Sequence, residues 1–365
     1  MTDYNPDVYW TVNNVTYYRK IDALIASNCN GQSHVTFNYY NDKFSQCDWL
    51  HEPTETFAQL LKQRAQQLRD NNKYVRIWYS GGADSHTMLQ AFLDNDIYMD
   101  EIVLIRTSPI DDFDTKASRE ANLRSIPYIN SIKHMIPRTK ISLVDITAKH
   151  YMNMYKNTDW LSETNSFTFS DDPGILLGSR DGIERYTQLT IHEDSAEVTG
   201  GDKPKVLRKD GIYYIALTDS QFNYLYWADV KEFFTTPEMP ELHAKQCYEW
   251  INVLERRFPN NQDLTNDIYN PLTMTAEFKK EWYHCCRQII NYDVDFGKGW
   301  KLHSPKVQYK VDEAKANNPE LLKYFIGSLQ EVQPLVSHYW EDFDNGMTGV
   351  LAGIYTFGPY NKLDK

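Results

Sequence analysis

The feature that most constrains this chain is the turn Ser80-Gly81-Gly82-Ala83-Asp84-Ser85, which joins a strand pattern to a helix pattern. An apolar run at 74–79 precedes the turn, and apolar residues recur at helical spacing after it. Glycines allow a tight turn, and the first N–H groups of a helix lack partners within the helix. The helix dipole adds positive charge at that end. The sequence therefore predicts an anion-binding loop, with Ser80 and Ser85 as hydroxyl donors to phosphate.

These six residues resemble the pyrophosphate-binding loop, SGGxDS, of the PP-loop ATP pyrophosphatase superfamily. That superfamily includes the synthetase domains of asparagine and GMP synthetases, tRNA lysidine synthetase and the PAPS reductases. The resemblance implies that ATP is bound by Ser80, Gly81, Gly82, Asp84 and Ser85, and that it is cleaved to AMP and pyrophosphate. A strand-to-helix turn that is merely capped by serine and aspartate is the alternative. The chain contains no Walker A motif.

Two aspartates are candidate ligands for Mg²⁺. Asp84 is the first, because Mg²⁺ is usually held by one or two carboxylates together with phosphate oxygens. Asp202 is the second, since Gly200-Gly201-Asp202-Lys203 partly matches the metal-binding glycine loop of asparagine synthetases. The resemblance further implies that Gly201 contacts the nucleotide and that Lys203 acts with Asp84 as a catalytic residue by neutralising phosphate charge. The alternative is a plain tight turn with an exposed lysine.

Other candidate contacts follow the next predicted strand, 101–107. In the superfamily this region runs beside the adenosine, so the resemblance implies that Arg106 and Thr107 help to bind the nucleotide. Arg119 and Arg124 lie within the basic stretch that follows, where they are either ligands for phosphate or carboxylate, or surface residues. For His86, just inside the motif helix, an ordinary place on the helix surface is expected.

Strand and helix patterns alternate through the middle of the chain. Strands are predicted near 74–79, 101–107 and 141–146, and helices near 84–94, 114–124 and 147–157, with Pro127 ending or interrupting the second helix. Short, continuously apolar strands that alternate with helices predict an α/β fold, a parallel twisted sheet with helices on both faces. Ligands in such sheets bind at the carboxyl ends of the strands. The resemblance makes this a Rossmann-like PP-loop fold.

Three regions are predicted along the chain. Residues 1–55 form a small β-rich region of short strands and turns, and residues 56–220 form the ATP-binding domain. A helix from an N-cap at Thr54 to about Arg69 leads into that domain, and a hairpin near 205–217 lies towards its end. Residues 221–365 are predicted to be mainly helical. They are the expected acceptor-substrate domain, because a nucleotide-binding half alone cannot select a substrate.

Composition limits the partners and the compartment. The net charge of −12 argues against a general electrostatic attraction to nucleic acid, although residues 116–156 carry eight basic and two acidic residues. Five cysteines, an odd number without a C-x-x-C pair, favour a reducing compartment. No apolar run approaches the length of about 18 residues that a membrane span needs. A cytoplasmic protein is expected, in the host cytoplasm if the chain is viral, since its pattern also resembles PP-loop proteins of tailed bacteriophages.

The choice among the activities of the superfamily depends on cysteines that the sequence lacks at particular positions. The last cysteine is Cys286, far from the C-terminus, which disfavours a PAPS reductase, and Thr2 after Met1 disfavours an N-terminal glutaminase. The leading hypothesis is an ATP-dependent ligase that adenylylates a carboxyl or carbonyl oxygen of a small substrate for attack by ammonia, an amine or sulfur. The alternatives are a nucleotide-binding sensor without turnover and a tRNA or DNA base-modifying enzyme. The acceptor, the nucleophile and the oligomeric state stay open.

Overall fold

The computed structural model of the chain describes most of its first 145 residues and several shorter stretches beyond them. The described residues are 4–106, 121–145, 183–184, 187–201, 205–209, 212–219, 229–257, 323, 330, 333–336, 340–342, 346–347 and 351–357. No helix in these ranges is both long and apolar enough to cross a membrane.

The described elements include strands and helices along the whole chain. In order they are β1 (Val8–Val12), β2 (Val15–Tyr17), α1 (Lys20–Cys29), β3 (Val35–Tyr39), α2 (Asn41–Phe44), α3 (Phe57–Asn71), β4 (Tyr74–Trp78), α4 (Ala83–Leu93), β5 (Glu101–Arg106), a π-helix (Ala121–Ser125), α5 (Ile126–Ile132), β6 (Lys140–Asp145), β7 (Ser195–Thr199), β8 (Lys205–Lys209), β9 (Ile212–Thr218), β10 (Val230–Glu232), α6 (Pro240–Arg257), a 3₁₀ turn (Gln333–Leu335), β11 (Trp340–Asp342), β12 (Gly346–Met347) and β13 (Leu351–Phe357).

The central sheet has five parallel strands in the order β10-β7-β4-β5-β6. Alternate residues of β4, Val75 and Ile77, enter an apolar core with Leu61 of α3 and Phe92 of α4. Residues of α5 and α6 belong to the same core. The predicted α/β class with a parallel sheet is therefore confirmed. Helices on the second face stay a prediction, since the segments 107–120 and 146–182 lie outside the described residues.

The strand order creates a switch point beside β4. From β4 the chain moves to β5 and β6 on one side, and it later returns to β7 and β10 on the other. The connections that leave the carboxyl ends of β4 and β7 therefore run in opposite directions. In open parallel sheets, ligands bind at the carboxyl ends of the strands at such a switch point.

The helix α3 begins two residues later than the sequence indicates. Thr56, and not Thr54, is its N-cap, and the helix runs to Asn71. The Thr56 hydroxyl accepts a hydrogen bond from the Gln59 backbone N–H, and the Gln59 side chain accepts one from the Thr56 N–H. This reciprocal capping box satisfies two donors at once, which is why the second threonine takes the position.

Pro127 does not end the helical segment, but the helix changes type directly before it. The π-helix Ala121–Ser125 passes directly into α5, and Pro127 lies in the first turn of α5. Proline has no N–H to donate to the preceding turn, which interrupts the hydrogen-bond pattern of the helix there. The first part of the predicted helix 114–124, up to residue 120, lies outside the described residues.

The N-terminal region contains a helix as well as the predicted strands. β1 pairs with β2 and β3 in an antiparallel sheet, and α1, which was not predicted, follows β2. Lys20 at the start of α1 is buried, and its Nζ lies 2.9 Å from Oδ2 of Asp219. The Trp10 indole donates to the same oxygen. This buried cluster joins the N-terminal region to the end of β9.

The predicted hairpin near 205–217 is confirmed as β8 and β9, which pair antiparallel. β13 pairs with the other edge of β9, and Tyr355 of β13 stacks on Trp49. The C-terminal region thus contributes strands as well as the long helix α6. The rest of the predicted helical region, including 258–322, lies outside the described residues.

Candidate functional site

The turn after β4 is held in a conformation that only glycine adopts easily. Gly81 has φ of +82°, in the left-handed region. A Cβ on Gly81 would lie 3.0 Å from the backbone nitrogen of Ser125 and 3.3 Å from Cβ of Arg124. The π-helix therefore packs directly against the turn. Gly82 then serves as the N-cap of α4 with an extended conformation.

Replacing Gly81 by alanine is expected to lower the free energy of unfolding by about 3 kcal/mol, because left-handed strain adds to overpacking against Ser125. Gly31 is a matched control, since it has φ of +73° but open space around its Cβ position. Gly31→Ala is therefore expected to cost only the backbone strain, about 1 kcal/mol. Chemical denaturation of both variants measures the difference, and equal losses would show that the π-helix does not confine the turn.

The two serines of the motif shape the turn by bonding to it and to each other. Ser80 Oγ accepts the Gly82 N–H over 3.1 Å and lies 3.0 Å from Ser85 Oγ. Ser85 is buried and donates its hydroxyl to the Gly82 carbonyl over 3.1 Å. Ser80 is exposed at the end of the strand. In this arrangement Ser80 lies where a ligand can reach it, whereas the hydroxyl of Ser85 points back into the turn.

The N-terminus of α4 has the properties of an anion site. Gly82 at the N-cap has no side chain that could accept a hydrogen bond from the first turn. The backbone N–H groups at the start of α4 therefore lack the usual capping acceptor. The helix dipole is directed towards the same point. Asp84 lies in the first turn and is half-buried, so its carboxylate adds negative charge to a place that otherwise attracts anions.

The segment after β7 approaches this helix end very closely. A Cβ on Gly200 would lie 3.1 Å from the carbonyl carbon of Asp84 and 3.2 Å from the nitrogen of Ser85. Gly201, buried beside it, donates its N–H to Oε1 of Glu232 over 2.8 Å. The structure thus brings the predicted contact Gly201 next to the predicted loop. Asp202 and Lys203 follow immediately but lie outside the described residues.

Glu232 is a site residue that the sequence analysis missed. It ends β10, is 4 % exposed and is paired in register with Thr199, the last residue of β7. Burial raises the pKa of Glu232 to about 7, and the negative charge of Asp84 adds to the rise, while N–H groups of Gly201 and Phe234 oppose it. A glutamate directly before two phenylalanines is an available signal, because a charge inside an apolar run is expensive to bury.

A cluster of buried polar side chains packs against the turn. Tyr79, the residue before Ser80, lies with its hydroxyl 3.0 Å from Nδ1 of His86. Tyr128 of α5 packs edge-on against His86 and bonds to Gln90. His86 is thus buried, not on the helix surface, and burial lowers its pKa to about 4. It is neutral at pH 7 and therefore does not supply a positive charge to an anion.

Of the remaining predicted residues, two lie near the site and two lie outside the described residues. Arg106 ends β5 at the same edge of the sheet, half-buried and in register with Asp145. Arg124 is half-buried beside Gly81, and its charge opposes the burial that raises the pKa of Tyr79. Thr107 and Arg119 lie outside the described residues.

A Mg²⁺ ion at this place would need oxygen ligands from a bound nucleotide as well as from the protein. The described residues contain no group of three or more His, Cys, Asp or Glu side chains that could hold a metal ion. The Asp84 carboxylate at the start of α4 is compatible with the way in which Mg²⁺ binds with nucleotides, through one or two carboxylates, phosphate oxygens and water.

Comparison with known proteins gives no independent assignment. No protein-family model matches the chain, and no curated protein matches it significantly.

Proposed function

We propose that the chain is an AMP-forming, ATP-dependent ligase of the PP-loop type. The observation that carries this proposal is the place of Ser80-Gly81-Gly82-Ala83-Asp84-Ser85 at the switch point of a parallel sheet. There the start of α4, with a glycine at its N-cap, meets two close-packed glycine segments. Gly200 approaches the first turn of α4 through backbone atoms, and backbone N–H groups at a helix start can bind a polyphosphate at short range.

Each residue at the site has a distinct part in this proposal. The N–H groups at the start of α4 form the phosphate cradle and bind the β- and γ-phosphates. Gly81 forms the turn that leads into the cradle, and Gly200 lets the segment after β7 approach it without a side chain. The exposed hydroxyl of Ser80 adds a hydrogen bond. Asp84 would hold Mg²⁺, which would supply neutralisation of the charge that develops on pyrophosphate. Asp202 and Lys203 are proposed to contribute to the same task.

The substrate side of the reaction is proposed from the chemistry of the superfamily. The α-phosphorus, left outside the cradle, is attacked by a carboxyl or carbonyl oxygen of a small acceptor, and pyrophosphate leaves. Ammonia, an amine or a sulfur nucleophile then displaces AMP from the activated acceptor. The C-terminal region is the proposed acceptor-binding part, and the cytoplasm, which is reducing and rich in ATP, is the proposed compartment.

Calorimetric titration with ATP, ADP, AMP and pyrophosphate, each with Mg²⁺, tests the proposed site. ATP and pyrophosphate are expected to bind at least about tenfold more tightly than AMP, because the cradle binds the phosphates that AMP lacks. Gly81→Ala is expected to lose this binding, and Gly31→Ala is expected to keep it. Equal affinity for AMP and ATP, or none for either, would contradict the proposal.

Two further outcomes separate the alternatives. ATP binding without AMP formation, whatever acceptor is offered, would favour a sensor or interaction module. Binding of tRNA at low salt that weakens steeply as salt rises would favour the base-modifying enzyme, because phosphate contacts release counterions.

A further inference from the structure

The Glu232 carboxylate accepts hydrogen bonds mainly from backbone N–H groups. Its Oε1 accepts hydrogen bonds from Gly201 over 2.8 Å and from Phe234 over 3.1 Å. The Thr199 hydroxyl lies 3.5 Å from Oε2. Among the described residues no basic side chain forms an ion pair with this carboxylate, although the Arg64 charge lowers its pKa. The chief described partners of Glu232 are therefore the segments that follow β7 and β10.

The Gly200–Gly201 segment is confined on both sides. A Cβ on Gly201 would lie 2.6 Å from Oε2 of Glu232, closer than side chains ever approach. On the other side, a Cβ on Gly200 would lie 3.1–3.2 Å from backbone atoms of Asp84 and Ser85. The two glycines thus fill the space between the Glu232 carboxylate and the first turn of α4.

The backbone of Glu232 is itself fixed from the helix side. Arg64 of α3 is buried, and it donates to the Glu232 carbonyl over 2.8 Å and to the Phe233 carbonyl over 3.2 Å. Its other contacts are Gln67 and the half-exposed Glu238. Glu232 is therefore held at its backbone, so a change in its side chain alters mainly the contact with Gly201 and Phe234.

We propose that Glu232 is a positioning residue of the nucleotide site: by accepting the Gly201 N–H, it holds the Gly200–Gly201 segment against the first turn of α4. This inference rests on the proposed function, because the first turn of α4 is the phosphate cradle. Glu232 does not touch the nucleotide in this account. It sets the distance between the cradle and the segment that continues towards Asp202.

Two substitutions at Glu232 separate the effect of the position of its acceptor oxygen from the effect of its negative charge. Glu232→Gln keeps an oxygen at the Oε1 position but has no charge, whereas Glu232→Asp keeps the charge on a side chain one methylene shorter. If position is what counts, Glu232→Gln should bind Mg²⁺–ATP within about threefold of wild type, and Glu232→Asp at least about tenfold more weakly. Glu238→Gln is the control, because Glu238 shares Arg64 but does not contact Gly201.

Two readouts are needed on all four proteins. Calorimetry gives the affinity for Mg²⁺–ATP, and amide hydrogen exchange of the nucleotide-free protein gives the protection of the Gly201 N–H. Glu232→Asp is expected to lose both protection and affinity, while Glu232→Gln and Glu238→Gln keep both. Wild-type affinity in Glu232→Asp would overturn the inference. So would a loss of affinity in Glu232→Gln as large as in Glu232→Asp, because an acceptor oxygen at the right reach would then not be enough to maintain the site.

The same experiment distinguishes a failure of the proposed function from a failure of the role proposed for Glu232. Wild-type protein that binds neither ATP nor pyrophosphate would overturn the nucleotide site, and with it the role of Glu232 in that site. If amide hydrogen exchange of the Gly201 N–H still depended on Glu232, the contact between the two residues would have a purely structural role. Wild-type protein that binds ATP, with Glu232→Asp equal to it, would leave the nucleotide site standing and overturn only the role of Glu232.

Discussion

Replacement of Arg76 by methionine is expected to lower the free energy of unfolding by about 3–5 kcal/mol, because it leaves two buried carboxylates without their shared cation. Arg76 lies on β4 in the middle of the sheet and is fully buried. Its guanidinium donates to Glu101 of β5 and to Glu197 of β7, each over 2.7 Å, and to the Thr190 carbonyl over 2.9 Å. The three side chains are at most 1 % exposed, so water has almost no access to these contacts.

The two carboxylates respond differently to this environment. Burial acts to raise the pKa of Glu101, but hydrogen bonds from Lys140 and Ser142 and the charge of Arg76 outweigh it and lower the pKa to about 2. For Glu197 burial dominates and raises the pKa to about 7, despite Arg76 and a bond from Trp78. Arg76→Met is therefore expected to drive Glu197 further towards its protonated form.

Urea denaturation at pH 7 measures the loss in Arg76→Met, with Lys73→Met as the control. Lys73 forms an ion pair with Asp194 at the surface, where water and salt screen the charges. Its removal should leave stability unchanged within error. A loss in Arg76→Met no larger than that in Lys73→Met would show that the buried network does not support the sheet.

Replacement of Asp84 by asparagine is expected to reduce the rate of AMP formation by about a hundredfold or more, since one electrostatic contact to the transition state is worth that much. The asparagine is nearly isosteric but cannot hold Mg²⁺ as a carboxylate does. The fold should be nearly unaffected, because a first-turn acidic residue contributes only about 0.3–1 kcal/mol through the helix dipole. ATP binding measured in EDTA should survive the change.

Asp22 provides a control for the helix contribution. It is also a first-turn aspartate, in α1, and it pairs with Arg19. Asp22→Asn should therefore reproduce the small stability effect without altering AMP formation. Product chromatography at saturating ATP gives the rates. AMP formation by Asp84→Asn at the wild-type rate would remove Asp84 from the metal site and leave the capping role as its explanation.

The strand, turn and helix around Gly81 could be predicted because their pattern is local. The apolar run, the glycine pair and the helical spacing lie within 20 residues of one another, and their bounds shift by only a residue in the structure. Thr56 was missed in favour of Thr54, although its spacing to Gln59 is that of a capping box. The helix α1 was missed as well. It begins with a lysine whose burial depends on Asp219, about 200 residues away.

The rest of the site depends on contacts that a single sequence does not contain. Glu232 meets Gly201 only because β10 lies beside β7 in a register that aligns Glu232 with Thr199. The π-helix meets Gly81 through Arg124 and Ser125, which lie far from Gly81 in the sequence. His86 was expected at the surface because helical position alone does not reveal Tyr79 and Tyr128 around it. These residues are separated in sequence, so strand order decides their meeting.

The most direct test of the account is to identify the nucleotide products. The protein is incubated with ATP, Mg²⁺ and a small-molecule cell extract as the source of acceptor, and AMP, ADP and pyrophosphate are resolved, with Asp84→Asn as the control. The account predicts AMP and pyrophosphate in equal amounts from wild type and almost none from Asp84→Asn. ADP and phosphate as the products, or AMP formed equally by both proteins, would contradict it.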